Sequence, residues 1–137
     1  MRSVFHLAYN VRDLDETRSF YGGLLGCAEG RSTDTWVDYN FFGHQLSLHI
    51  GEPFSVAKTG LVAGIKVPMP HLGVVLPLED WKPLAAKLEA ENIEFALPPS
   101  VRFEGEAGEQ WTMFFYDPSG NPIEVKGFAN FDGIFAS

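Results

Sequence analysis

Two histidines and one glutamate, His6, His71 and Glu124, stand at matching places in a chain that repeats its own pattern. The strand-like run of residues 4–11 contains His6; a helical pattern follows, then the turn at Gly43 and the apolar run Leu46-Ser47-Leu48. The same order returns from Pro70-His71-Leu72 through a second helical pattern to Asp117-Pro118-Ser119-Gly120-Asn121 and Ile123-Glu124-Val125. Setting Gly43 on Gly120 places Ser47 on Glu124, and setting the two first strands on each other places His6 on His71. Two imidazoles and one carboxylate are the donor set of a facial triad, which leaves part of a metal's coordination sphere open. Glu124 interrupts an apolar strand, where an unpaired charge is costly and a bound cation removes the cost. The structural alternative is an ion pair with Lys126 or Arg102.

His49 follows Ser47 by two residues, so strand alternation puts both on the face that matches Glu124. That position suits an acid/base group beside the open coordination sites. Ser47 itself stands where a carboxylate would complete a fourth ligand, and is expected to leave that place to water or substrate. Trp36, Tyr39, Arg102 and Gln110 are candidate cleft-lining groups for an anionic or aromatic substrate. His44, between Gly43 and Gln45, reads as a solvated turn residue.

The elements that must position these groups are legible from periodicity. Asp13 with Glu16 three residues later reads as a helix start, Leu14, Phe20, Tyr21, Leu24 and Leu25 supply an apolar face, and Gly26 ends it. A second helix opens near Pro77, buries Trp81, Leu84, Ala85 and Leu88 on one stripe, tolerates Pro83 near its first turn, and ends at Asn92. Short runs rich in aromatic and β-branched residues, near 35–42, 45–50, 93–97, 111–116 and 122–127, read as strands, with weaker ones near 28–31 and 101–104. Each half therefore reads β-α-β-β-β. Residues 51–69 have no clear period and read as a linker. The expectation is one α+β domain over residues 1–137, with module one at about 1–55 and module two at about 66–137.

A net charge of −8 and only ten Lys and Arg argue against nucleic acid and anionic membranes as partners, since phosphate binding needs clustered cations. The single cysteine, Cys27, excludes an internal disulfide and fits a reducing compartment. With no signal-peptide pattern and no membrane-spanning run, the expected location is cytoplasmic. The aromatic tail at residues 128–135 offers apolar groups beyond the last strand, which leads to an expected homodimer.

The paired β-α-β-β-β pattern, Phe42-Gly43-His44-Gln45, Trp36-Val37-Asp38, residues 70–76, Gly108-Glu109-Gln110, Met113-Phe114-Phe115 and residues 117–121 resemble the vicinal oxygen chelate superfamily of glyoxalases, bleomycin-resistance proteins and extradiol dioxygenases. Within it the chain is most similar to the bacterial predicted extradiol-type dioxygenase group. The resemblance implies two fused βαβββ modules forming a curved mixed sheet around a metal-binding cleft, with the family's ligands falling on His6, His71 and Glu124. The fourth ligand of the glyoxalase I pattern falls on Ser47, and the tyrosine of the extradiol pattern falls near Phe114. The implied function is metal-dependent, O2-dependent cleavage of a small catechol or enediol, with Fe(II) preferred and Mn(II), Zn(II) or Ni(II) as alternatives. Two other readings stay open: a redox-inert isomerase, lyase or thiol transferase on the same scaffold, and a metal-free protein that sequesters a small molecule.

Overall fold

The structure, a computed structural model, describes residues 1–137. It comprises two compact units: Met1–Ser55 together with Asp117–Asn121, and Val56–Tyr116 together with Pro122–Ser137.

The first unit contains β1 (His6–Val11), α1 (Leu14–Arg18), β2 (Ala28–Ser32), β3 (Trp36–Phe41) and β4 (His44–Ile50). Asp13 caps α1, its Oδ1 accepting from the Glu16 N–H at 2.8 Å. The helix then widens into a π-helical turn, Ser19–Leu24, and ends at Gly26, whose φ of +71° is a conformation glycine adopts without a steric penalty. The sheet order is β1-β4-β3-β2, with β1 parallel to β4 and the other pairs antiparallel. Strand alternation sends Val37, Tyr39, Phe41, Leu46 and Leu48 to the buried side, where Tyr21 stacks on Tyr39 and meets Phe41 edge-on. The opposite face carries Trp36, Asp38, Gln45, Ser47 and His49.

The turn at residues 117–121 completes this unit from more than sixty residues beyond its last strand. Asp117, 5 % exposed, accepts four hydrogen bonds: Ser119 N–H (2.8 Å) and Asn121 N–H (2.9 Å) on Oδ1, and Tyr21 Oη–H (2.8 Å) and Asn121 Nδ2 (2.9 Å) on Oδ2. Asn121 Nδ2 also reaches the carbonyl of Asn10 (3.0 Å), and Arg12 donates to Ser119 Oγ and the Pro118 carbonyl. Tyr9 Oη lies 2.6 Å from Tyr21 Oη. Burial pushes both phenols far up, so the cluster stays protonated.

The second unit repeats the topology. It contains β5 (Ala57–Val62), β6 (Ile65–Met69), β7 (Leu72–Pro77), α2 (Leu78–Ala90), β8 (Phe95–Arg102), β9 (Gln110–Tyr116) and β10 (Pro122–Phe128), then a short 3-10 turn, Phe131–Gly133. Its main sheet has the order β7-β10-β9-β8, again with only the first pair parallel. The α2 stripe of Trp81, Ala85 and Leu88 is buried, and Trp81 Nε1 donates to the Val125 carbonyl at 2.8 Å. Gly127 makes this approach possible: a Cβ there would sit 2.7 Å from Trp81 Cβ and Cγ. Gly127→Ala is therefore expected to lower stability by about 1–3 kcal/mol through overpacking, a loss that urea denaturation would measure as a reduced midpoint with an unchanged slope.

Three elements differ from the sequence reading. The expected linker holds a hairpin, β5–β6. The expected strands near 93–97 and 101–104 are one strand, β8, whose register shifts at two places. Pro83 lies in the second turn of α2, where it removes one internal hydrogen bond. No helix is long and apolar enough to cross a membrane.

Candidate metal centre

The register of the two sheets upholds the repeat alignment. In the first unit Ser47 pairs with Ala8, two residues after His6; in the second Glu124 pairs with Gly73, two residues after His71. Gly73 has no side chain to cover Glu124 from β7.

In the second unit the geometry assembles an acid and a base. His71, just before β7, places Nε2 3.3 Å from Glu124 Oε1. Its Nδ1 is 2.7 Å from the carbonyl of Pro68, which can only accept, so Nδ1 carries a proton. Glu124, 7 % exposed, has its other oxygen held by the Thr112 hydroxyl at 2.6 Å. Phe114 meets the His71 ring edge-on at 4.8 Å and packs with Leu97 and Val67 in one apolar cluster. The hydrogen bond to Glu124 raises the His71 pKa against the effect of burial. For Glu124 burial pushes upward, and the bonds from His71 and Thr112, aided by Lys126, outweigh it and hold the carboxyl below its ordinary value. The structural alternative, an ion pair with Lys126 or Arg102, is not what forms: Glu124 pairs with His71.

These residues fit a divalent cation. A carboxylate oxygen and an imidazole nitrogen converge, while the remaining polar atom of each group is fixed by an outer partner, an arrangement typical of metal ligands. His6, the third expected donor, is exposed on β1 of the first unit, its Nδ1 2.9 Å from Gln45 Oε1. The structure assembles no group of three or more His, Cys, Asp and Glu side chains that could hold a metal ion.

The other candidates are placed as follows. Ser47 is 6 % exposed, and its hydroxyl donates to Asp38 Oδ1 at 2.5 Å. A carboxylate therefore does stand beside the place of the fourth ligand, delivered by β3 instead of β4. Sequence reasoning passed over Asp38, although alternation from Trp36 puts it on the open face. His49 is exposed and stacks on Trp36, with ring centroids 5.9 Å apart and planes at 27°. Tyr39 is buried, 2 % exposed, with its hydroxyl 3.4 Å from Glu29, and still borders the same groove as Trp36. His44 is not merely solvated: its Nδ1 accepts from the Phe5 N–H at 3.2 Å. Arg31, Trp36, Asp38, Asn40, His44 and Gln45 line an open groove of about 580 Å³.

Arg102 and Gln110 are register partners at one end of the second sheet. Arg102 lies over the Phe103 ring at 4.8 Å. Gln110 Oε1 is buried without a partner, beside a cavity of about 320 Å³ lined partly by the C-terminal tail. Cys27 is buried, which pushes its thiol up to about 11 and makes it a weak nucleophile at neutral pH.

The paired βαβββ topology defines the class. Residues 3–125 match the model of the Glyoxalase/Bleomycin resistance protein/Dioxygenase superfamily, and the chain belongs to that superfamily. A crystal structure described as glyoxalase/bleomycin resistance protein/dioxygenase from Alicyclobacillus acidocaldarius is 30% identical, with 98% of this chain and 97% of that chain covered and a TM-score of 0.78. The fosfomycin resistance protein FosX from Listeria monocytogenes shares the fold at 16% identity, covering 97% and 98% of the two chains, with a TM-score of 0.69. A glyoxalase/dioxygenase from Nostoc punctiforme does so at 22% identity, covering 92% and 90%, with a TM-score of 0.67. A search of curated proteins found no match.

Proposed function

We propose that the protein is a metal-dependent enzyme that cleaves a small vicinal-oxygen substrate, a catechol or an enediol, with O2. His6, His71 and Glu124 hold the cation, Fe(II) in preference to Mn(II), Zn(II) or Ni(II). The observation that carries this reading is the convergence of His71 Nε2 and Glu124 Oε1, 3.3 Å apart, with their other polar atoms fixed by Pro68 and Thr112. Bound there, a divalent metal supplies Lewis acidity toward adjacent substrate oxygens and, as iron, electrons for reduction of O2.

The chain's own residues do the rest. Thr112 keeps Glu124 oriented, the Pro68 carbonyl keeps His71 oriented, and the edge of Phe114 excludes water from one side of the imidazole. His49, whose ring stacks on Trp36 without a hydrogen bond to another residue, takes or gives the substrate proton at a ring nitrogen. With Phe131 and Phe135 exposed in the single chain, the reading includes pairing of two copies.

A second reading, a redox-inert isomerase, lyase or thiol transferase, is favoured by Phe114, which packs an apolar edge against His71 near the place where the extradiol pattern has a tyrosine. Protein purified without oxygen and without a chelating tag, then reconstituted separately with Fe(II), Mn(II) and Zn(II), distinguishes them in an O2-electrode screen of catechols and enediols. O2 uptake with Fe(II) alone, abolished in Glu124→Ala, is the expected result. Substrate turnover with Mn(II) in the absence of O2 selects the second reading, and failure to bind any of the three metals removes both.

A further inference from the structure

We propose that Gln45 is the positioning residue that makes Nε2 of His6 the nitrogen available to a metal. This rests on the reading of His6 as a ligand and adds the device that orients it.

An exposed imidazole exchanges between two neutral tautomers, and only the nitrogen without a proton can donate to a cation. His6 is exposed, so burial does not settle the choice. Gln45 Oε1 does. A carboxamide oxygen carries no proton, so the 2.9 Å contact with His6 Nδ1 requires the proton on Nδ1 and leaves the lone pair on Nε2. The backbone holds both partners in place. His6 and Gln45 are direct register partners in the parallel β1–β4 pair, and the Gln45 N–H donates to the Phe5 carbonyl at 2.9 Å. The Phe5 N–H in turn donates to His44 Nδ1. Residues 44 and 45 thus secure both backbone groups of the residue that precedes His6.

The second unit meets the same requirement with a different atom. One step back from the Ile123–Leu72 pair, the place equivalent to Gln45 is Pro122, whose side chain cannot accept a hydrogen bond. There His71 Nδ1 uses the Pro68 carbonyl instead. Both repeats arrive at a histidine with its Nδ1 proton engaged, by two unrelated routes. The side-chain route is the one that mutation can remove.

Long-range 1H–15N correlation spectra of metal-free protein, recorded where imidazole is neutral, report the tautomer of His6 directly, and Mn(II) and Zn(II) titrations report affinity. Wild-type His6 is expected to carry its proton on Nδ1. Gln45→Leu, at an exposed position that leaves the fold intact, should shift His6 toward the Nε2–H form and weaken metal binding by about 10–100-fold. Gln45→Glu, which keeps an acceptor oxygen, should retain both the tautomer and tight binding. An Nε2–H tautomer in the wild type, or an unchanged spectrum in Gln45→Leu, overturns the proposal. So does a changed tautomer with unchanged affinity, provided His6→Ala loses affinity. If His6→Ala binds both metals as tightly as the wild type, the ligand assignment falls and Gln45's role with it, and the tautomer spectra tell the two failures apart.

Discussion

Replacing Asp117 with alanine is expected to destabilise the protein by about 3–5 kcal/mol, because several buried donors lose their shared acceptor at once. The carboxylate serves four donors at once, two backbone N–H groups of its own turn, the Asn121 amide and the Tyr21 hydroxyl. Its removal leaves those groups in a buried place without acceptors, and each unsatisfied donor costs about 1–3 kcal/mol before relaxation. Asp117→Asn keeps the volume but presents an NH2 group to donors that need an oxygen, so it should recover only part of the loss. Tyr21→Phe removes a single donor and should cost less than either. Chemical denaturation of the three variants checks the order; equal midpoints for Asp117→Ala and wild type would show that the turn at 117–121 does not hold the first unit together.

That turn shows where sequence reading stops. Asp117-Pro118-Ser119-Gly120-Asn121 is legible as a turn because proline and glycine impose local geometry, and Gly120 does adopt a φ of +86°. That its aspartate clasps Tyr21, and its asparagine the backbone of Asn10, is a contact across about a hundred residues that no local period encodes. The strand register around His6, Ser47, His71 and Glu124 was legible because a repeat supplies its own alignment. The β5–β6 hairpin was not. Both strands leave most side chains exposed, so the hydrophobic alternation that marks a half-buried strand is missing, and the turn uses Ala63 as well as Gly64 at positive φ. Asp38 and Thr112 escaped for another reason. Each acts on a neighbouring strand through a side-chain bond, to Ser47 and to Glu124, and such pairing emerges only once register and side-chain direction are both known.

Loss of the Glu124 carboxylate is expected to have the largest effect on the candidate metal centre, lowering divalent-metal affinity by more than the about 10–100-fold typical of an outer-shell change. Without metal, Glu124 and His71 serve each other. His71 is raised from its ordinary 6.5, so its contribution to stability is present below that value and fades as pH rises through the folded pKa. Glu124 is lowered from 4.5, so its contribution is present above that value and fades as pH falls through the folded pKa. The pair therefore stabilises the metal-free protein most fully between these ordinary values, 4.5 and 6.5. A cation that takes Nε2 of His71 must displace its proton, so affinity should climb with pH until the imidazole is neutral, with proton release measurable in weakly buffered titrations. Glu124→Gln keeps the shape but removes the charge. It should return His71 toward its ordinary pKa, flatten the low-pH side of the stability profile and abolish most metal binding. Full metal occupancy in Glu124→Ala would remove Glu124 from the ligand set, and an unshifted His71 titration in Glu124→Gln would show that the 3.3 Å pair does not govern this imidazole in solution.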